Sequence, residues 1–509
     1  MTLMTKKNGA RRRWTGRSSQ ESGSKWRSIV WLGVIAIAAF SAGCALRTPW
    51  SPTRSGSSAQ RISAADAARI KYSKQRFAYL NIGETTSFRL ADGRLKWIRL
   101  VSVKEEKDSV IHLVRRADVR LEIDGELLDF PCSPYVLPIE KDGLRLQVDT
   151  TSGWLQIGKR VQLSLWDAAD PVVDTRLFVF PLAGYRLFSQ GTQSYNEPVH
   201  LGEGDGDPTG QRFYHNYGFD LAGFEGRDKV VSPVEGKVIA VRPDEGWVAV
   251  EDDRGIVIDC GHLDSIRPGI EEGVAVQRGQ EVGVLGRNGP SGNYSHLHLG
   301  LYLSRKDFEA DRPCRNLNFY PWILAAYQAA AGDRLVAVAR PHHTAITGEK
   351  VVFDGTNSVA FGGKIVSYRW EFPDGTIGDG PVAAKIFDRA GAYTATLRVE
   401  DDRGGRDFDI CRVRVYSAGK PEDMLTTLFF SVSPSLGVRP GSPVHFRGWP
   451  QGGETGPIRL DFGDGTTCEN YEPYSDIEHL YDKPGVYTVT ASAEKDGRPA
   501  MTRLKVVVE

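Results

Sequence analysis

The stretch "SHLHLGLY", residues 295–302, alternates imidazole and leucine. In an extended strand, residues i and i+2 point to the same face. His296 and His298 therefore project together into one site while Leu297 enters a core. Such a pair suits a metal ion beside a substrate, one imidazole ligating and the other reaching the substrate. A solvated strand face is the plain alternative.

Two pieces upstream add to it: "NYGFD" (216–220) and "CGHLDS" (260–265). Asn216 and Asp220, four residues apart on an extended segment, share a face by the same parity. Gly218 between them allows a close approach of the chain. Between the second and third pieces, "GVAVQRGQEVGVLGRNGPSGN" (273–293) carries glycines that mark tight turns between short strands. The Ser in "GPSG" (289–292) lacks the G-x-S-x-G spacing and the strand-to-helix setting of a serine nucleophile.

In order and spacing, these pieces resemble the M23 family of zinc endopeptidases, the LytM or lysostaphin-like enzymes. That family carries H-x-G-x-D, then Y-x-H-L, then H-x-H near a glycine-rich stretch. "SPVEGKVIAV" (232–241) and "VQRGQEVGVLGRNG" (276–289) also resemble its strands and turns. The resemblance implies a zinc cofactor with Asp220 and His298 as ligands, and His262 and His296 as the catalytic imidazoles. It implies a zinc-dependent endopeptidase that hydrolyses peptide cross-bridges of peptidoglycan in cell-wall remodelling.

The first ligand position departs from the family. Asn216 stands where the family has His, and His215 is its neighbour. Strand parity puts His215 on the face opposite Asp220, so its use as a ligand requires a bulge or twist. The Asn carbonyl is neutral and harder than imidazole, which weakens a zinc site. Three readings stand: Asn216 ligates, His215 swings in, or the domain is a metal-free binder. The last is a catalytically inactive M23-like envelope lipoprotein that binds cell wall or regulates other wall hydrolases. Cys260 replaces the family's usual Tyr, and Leu299-Gly300 its frequent Phe-Glu. A small buried apolar role accounts for Cys260 better than ligation.

Upstream of residue 195 the chain reads as β. "KWIRLVSV" (96–103), "VRLEIDGELLDF" (119–130), "LRLQVDT" (144–150), "RVQLSLWD" (160–167) and "TRLFVFPL" (175–182) alternate at period two. Asp124-Gly125 falls where a hairpin turn belongs. This segment, 76–194, is expected to be an all-β domain with no chemistry of its own. Ahead of it, a basic segment precedes "IVWLGVIAIAAF" (29–40) and "SAGC" (41–44). The pattern resembles a bacterial lipoprotein signal spanning 1–43, with lipidation at Cys44; an uncleaved anchor is the alternative. Both place the protein outside the cytoplasm in the bacterial envelope, held to a membrane through a Ser/Pro/Arg-rich tether (44–75).

After the M23-like segment (195–332), which ends in an expected helix "YPWILAAYQAAAG" (320–332), come two segments, 333–417 and 421–509. The first contains "SYRWEFPDGTIGDG" (367–380) and "RAGAYTATLRVEDDRGG" (389–405). The second contains "IRLDFGDGTT" (458–467) and "EHLYDKPGVYTVTASAE" (478–494). Both resemble PKD domains, whose signature runs W-x-F-G-D-G, H-x-Y, P-G-x-Y-x-V. The Asp-Gly pairs are read as tight turns rather than calcium sites, and Val506 and Val508 as core-facing. His342-His343, at the start of the first segment, reads as a solvated loop. Envelope proteins or glycans are the partners implied for these modules.

The full chain has 509 residues with 64 basic and 64 acidic side chains, which offers no electrostatic case for nucleic acid. Its 55 glycines suit a turn-rich architecture. Six cysteines show no CxxC spacing, so no cysteine metal cluster is indicated. The expected architecture is mainly β: an all-β domain, an M23-like antiparallel sheet and two PKD-like β-sandwiches.

Overall fold

Buried residues recur every second position in Val114–Ile123, where Val119, Leu121 and Ile123 face inward between charged neighbours. This strand belongs to an antiparallel sheet of four, in the order Thr85–Arg89, Leu95–Lys107, Val114–Ile123 and Glu126–Cys132. Its last hairpin turns at Asp124 and Gly125, both with positive φ (51° and 91°), as a two-residue I′ turn requires. The computed structural model describes residues 75–155, 157–200, 213–291, 293–310, 316–419 and 425–509. The expected signal, Cys44, nearly all of the tether, and Cys314 lie outside these residues.

A second four-stranded sheet (Arg76–Leu80, Val161–Asp167, Leu144–Thr151, Ile139–Lys141) completes the first domain. The alternating stretch 175–182 forms no strand, and its Phe178, Phe180 and Leu182 enter the core from irregular backbone with one bridge, Leu182 to Val230. Leu144–Thr151 and Val161–Asp167 are buried at every residue. Their period-two polar side chains, among them Gln147, Asp149, Gln162 and Ser164, are therefore enclosed as well.

The sheet that carries the site has seven strands. In chain order these are β1 (Thr192–Gln193), β2 (Phe219–Ala222), β3 (Gly236–Arg242), β4 (Trp247–Glu251), β5 (Val257–Gly261), β6 (Ala275–Val276) and β7 (His296–Tyr302). Their spatial order is β6-β3-β4-β5-β7-β2-β1, so the sheet takes in residues upstream of 195. Helix α1 (Tyr320–Ala331) follows, with Pro321 in its first turn and Gly332 at φ 70° ending it. One hydrophobic core runs from the first domain through β2, β5 and β7 to α1 and on to Val336 and Val338. Each large side chain enclosed in it contributes about 1.5–3 kcal/mol, so these domains do not stand independently.

The two C-terminal sandwiches have their own cores. Val506 and Val508 lie in the second of them. Gly391–Asp401 of one and Arg498–Val508 of the other meet in parallel at Ala392 and Ala500, joining both into a nine-stranded sheet. The Asp-Gly turns use their carboxylates locally. Asp464 accepts from the backbone and hydroxyl of Thr466 and pairs with His479 at 2.7 Å. Asp374 caps Thr376 in the same way.

His342 and His343 are not a solvated loop. His343 opens a strand (His343–Ile346) parallel to Arg406–Tyr416, and His342 Nδ1 accepts from the backbone N–H of Arg412 at 3.1 Å. Burial holds both imidazoles well below their usual pKa. Nearby, buried Arg340 donates to Asp409 and to the carbonyls of Gln190 and Thr192, bolting the first sandwich to β1. Cys132, Cys260, Cys411 and Cys468 are free thiols. Among the described residues, no helix is long and apolar enough to cross a membrane.

Candidate functional site

Three adjacent strands build the site. Antiparallel register sets Asp220 opposite His298 and Ala222 opposite His296 across β2 and β7, and Gly261 opposite His298 across β5 and β7. Directly paired residues point to the same face. Asp220, His296 and His298 therefore converge, as i, i+2 parity expects. His262 follows β5 in the left-handed region (φ 65°). This conformation is strained for a residue with a Cβ, and here the ring lies 4.6 Å from that of His296 and 5.9 Å from that of His298. The three histidines offer ring nitrogens that all lie within 4.8 Å of one another.

Gly218 permits the close approach expected of it. A Cβ there would stand 2.4 Å from His298 Cε1 and 2.6 Å from its Nε2. The backbone thus covers Nε2, and Nδ1 faces the cluster, 2.7 Å from Asp220 Oδ1. Gly261 serves a second close contact: a Cβ on it would meet the Trp247 ring at 2.2 Å. That ring lies 5.8 Å from His262 and 5.5 Å from His298.

Hydrogen bonds select the tautomers. His262 Nδ1 lies 2.7 Å from the carbonyl of Asn288, and His296 Nδ1 lies 3.0 Å from that of Tyr294. Each Nδ1–H is held by a carbonyl, which leaves each Nε2 with its lone pair. His296 Nε2 stands 3.8 Å from Asp220 Oδ1.

Charge follows burial and partners. Burial, then the neighbouring imidazoles of His296 and His298, push the pKa of His262 down to about 3. Burial also lowers that of His296. For Asp220 burial acts upward, but His296 and His298 outweigh it and hold the carboxyl below its usual range. For His298 burial acts downward and is outweighed by Asp220, which raises it. Asp220 and His298 thus favour each other's charged forms, while burial disfavours the charged forms of His262 and His296.

The two candidates for a third ligand fare differently from expectation. His215 is outside the site. Its strand, Phe213–His215, leaves the large sheet to pair with Pro198–His200. Its ring nitrogens lie 3.1 Å and 3.2 Å from the carbonyls of Trp154 and Val114 in the first domain. Parity prevails and no bulge returns this imidazole to Asp220. Asn216 is in the site, but as a donor: its Nδ2 donates to Asp220 Oδ2 at 3.0 Å and its Oδ1 accepts from Gly218 N at 3.3 Å. Its carbonyl is directed to the Gly218 backbone, and what it turns to the carboxylate of Asp220 is an N–H donor rather than a ligand oxygen. Cys260 points away into the core, opposite Leu299, and burial raises its thiol pKa far above the usual range.

Sequence reasoning missed three residues. Tyr294 stacks on His296 (3.9 Å between centroids, 9°), and its hydroxyl lies 3.0 Å from Asp220 Oδ2 and 2.8 Å from Gln193 Oε1. It continues the i, i+2 row of His296 and His298, a signal that was available. Gln193 and Trp247 reach the site only through strand pairing, which no local pattern announces.

Residues 214–310 match the model of peptidase family M23, and residues 335–415 and 429–508 match PKD domain models. Among curated proteins, Collagenase ColA of Clostridium perfringens is 30% identical over 89 residues, 18% of this chain. The chain spans only 8% of that relative's length, and 8% of Collagenase ColA of Bacillus cereus. Among solved structures, the catalytic domain of the antimicrobial peptidase lysostaphin from Staphylococcus simulans is 19% identical. It aligns with 26% of this chain and 92% of its own, at a TM-score of 0.21. A zinc containing peptidase from Vibrio cholerae is 16% identical, with 43% and 84% coverage and a TM-score of 0.21. The chain carries a peptidase family M23 domain followed by two PKD domains.

Proposed function

We propose that this protein is a zinc-dependent endopeptidase that hydrolyses peptide cross-bridges of peptidoglycan. The observation that carries the reading is the convergence of Asp220 with three imidazoles in a buried site, inside the M23-matched segment. The donor chemistry fits the metal: one carboxylate oxygen and imidazole nitrogens converging on one buried centre are a zinc set. Asp220 Oδ1 and His298 Nδ1 would hold it. The metal supplies Lewis acidity, which polarises a peptide carbonyl and makes water nucleophilic at neutral pH.

The chain's own groups do the rest. His262, neutral and with Nδ1–H fixed on Asn288, keeps Nε2 free to take a proton from water and return it to the leaving amine. Trp247 fills the space beside His262 and His298, excluding water from that side. Tyr217, 38% exposed with its ring 5.6 Å from His298, marks the side open to substrate. Export and lipidation at Cys44 would tether the enzyme near its wall substrate, and the PKD domains would engage envelope proteins or glycans.

A second reading, an inactive module that binds the wall or regulates other hydrolases, is favoured by one observation: the Asn216 amide turned to Asp220 where the family has a ligand. Incubating the purified full chain with peptidoglycan sacculi and analysing released peptides by mass spectrometry separates the two. Soluble peptides, absent with His262→Ala and Asp220→Ala, support the endopeptidase. Co-sedimentation with sacculi without any cleavage supports the binder.

A further inference from the structure

We infer that His296, and neither residue 216 nor His215, supplies the third protein ligand to the metal, while Asn216 orients Asp220 from behind. The inference rests on the zinc-peptidase reading above. It moves a ligand from the strand start before Asp220 into the His-x-His pair itself.

The first observation is what the carboxylate of Asp220 does with its two oxygens. Oδ2 is occupied by the amide of Asn216 and faces the hydroxyl of Tyr294, both at 3.0 Å. Oδ1 faces His298 Nδ1 at 2.7 Å and His296 Nε2 at 3.8 Å. One oxygen is thus anchored by donors and the other is presented to two imidazoles, the arrangement that outer hydrogen bonds impose on a monodentate carboxylate ligand. Ligand atoms about 2.0–2.1 Å from a tetrahedral zinc lie about 3.3 Å apart. The two distances from Oδ1 bracket that separation, and ring nitrogens of His296 and His298 lie within 4.8 Å of each other, so the three donors are within reach of one ion.

The second observation is how His296 is held. Its Nδ1–H is tied to the carbonyl of Tyr294, and its ring is clamped flat against the Tyr294 ring. A carbonyl on one nitrogen fixes the tautomer that leaves the other free to ligate. His262 has the same carbonyl arrangement but reaches the site from a left-handed position beyond the end of β5, off the strand pair that carries Asp220, His296 and His298. It remains outside the ligand set as the proton carrier, and the fourth position on the metal stays open. Asn216 turns its N–H, not its carbonyl, toward Asp220, so with the amide so placed a site relying on it would have only two protein ligands.

X-ray absorption on the zinc-loaded full-length protein tests this without any variant, because imidazole multiple scattering counts histidine ligands. Two imidazoles with one oxygen ligand from protein support the inference. One imidazole, or three, overturns it. Zinc content of variants at buffered free zinc gives an independent test, with thermal melting as the check on folding. His296→Ala is expected to lose stoichiometric zinc, whereas Asn216→Ala should keep one zinc at about 10–100-fold weaker affinity, the usual cost of an outer hydrogen bond. Loss with Asn216→Ala and retention with His296→Ala would overturn the inference and leave the peptidase reading intact. A wild-type protein that takes up no zinc overturns both.

Discussion

The amide of Asn216 donates to Asp220 Oδ2 at 3.0 Å, on the side of the carboxylate away from the imidazoles. The residue that stands where the resembled family has His thus supports the carboxylate of Asp220. Tyr294 stands on the same oxygen, so the two side chains share one task. Asn216→Ala and Tyr294→Phe should each weaken zinc binding without changing its stoichiometry. The double variant should lose more than the sum of the two, since neither donor remains to hold the carboxylate. Competition against a chelating dye measures this, and additive losses would show that the two supports act separately.

Gly218 is fixed by space. Because a Cβ there would meet His298 Cε1 at 2.4 Å and the carbonyl of Leu299 at 2.7 Å, Gly218→Ala must displace either the ring or the strand behind it. The expected loss is about 1–3 kcal/mol of stability, the usual range for overpacking. Weaker zinc binding should accompany it. A urea midpoint equal to that of the wild type would contradict the close approach.

The pH behaviour of His262 has a definite sign. Its pKa in the folded protein is about 3, against about 6.5 for an unperturbed imidazole. Between these values the unfolded chain binds a proton that the folded one refuses, so stability contributed by neutral His262 is lost as pH falls from about 6.5. Metal-free wild type should lose ground to His262→Asn across that window, as read by melting temperature against pH. Nitrogen-15 NMR should show the neutral Nδ1–H form of His262 at pH 5.5. An imidazolium signal there would refute the assignment.

The second PKD domain buttresses the site. Phe429 packs 5.6 Å from the ring of Tyr294 and 4.7 Å from that of Trp449, and Arg287 lies over Trp449. Ala222, on the site's own strand, shares this apolar cluster. Phe429→Ala should cost about 3–5 kcal/mol and, by loosening Tyr294, also reduce zinc affinity. Unchanged affinity in the destabilised variant would show that the buttress serves folding alone.

The shared face of His296 and His298, the position of Asp220, the close approach at Gly218, the turn at Asp124-Gly125 and the β character of every domain followed from the sequence by itself. Each rests on short-range rules: period two in a strand, positive φ in a hairpin, glycine where a Cβ cannot fit. Parity also placed His215 opposite Asp220. Only the tertiary structure decided what His215 meets there, namely two carbonyls of the first domain. The orientation of the Asn216 amide depends on Gly218 and Asp220 folding around it. The roles of Gln193, Trp247 and Phe429 depend on which strands and domains pair, and of His342-His343, read as a loop, His343 opens a strand and both are half-buried. The physical reason is range. Backbone geometry is encoded over a few residues, whereas the hydrogen bonds and contacts that tell a ligand from its support join residues far apart in the chain.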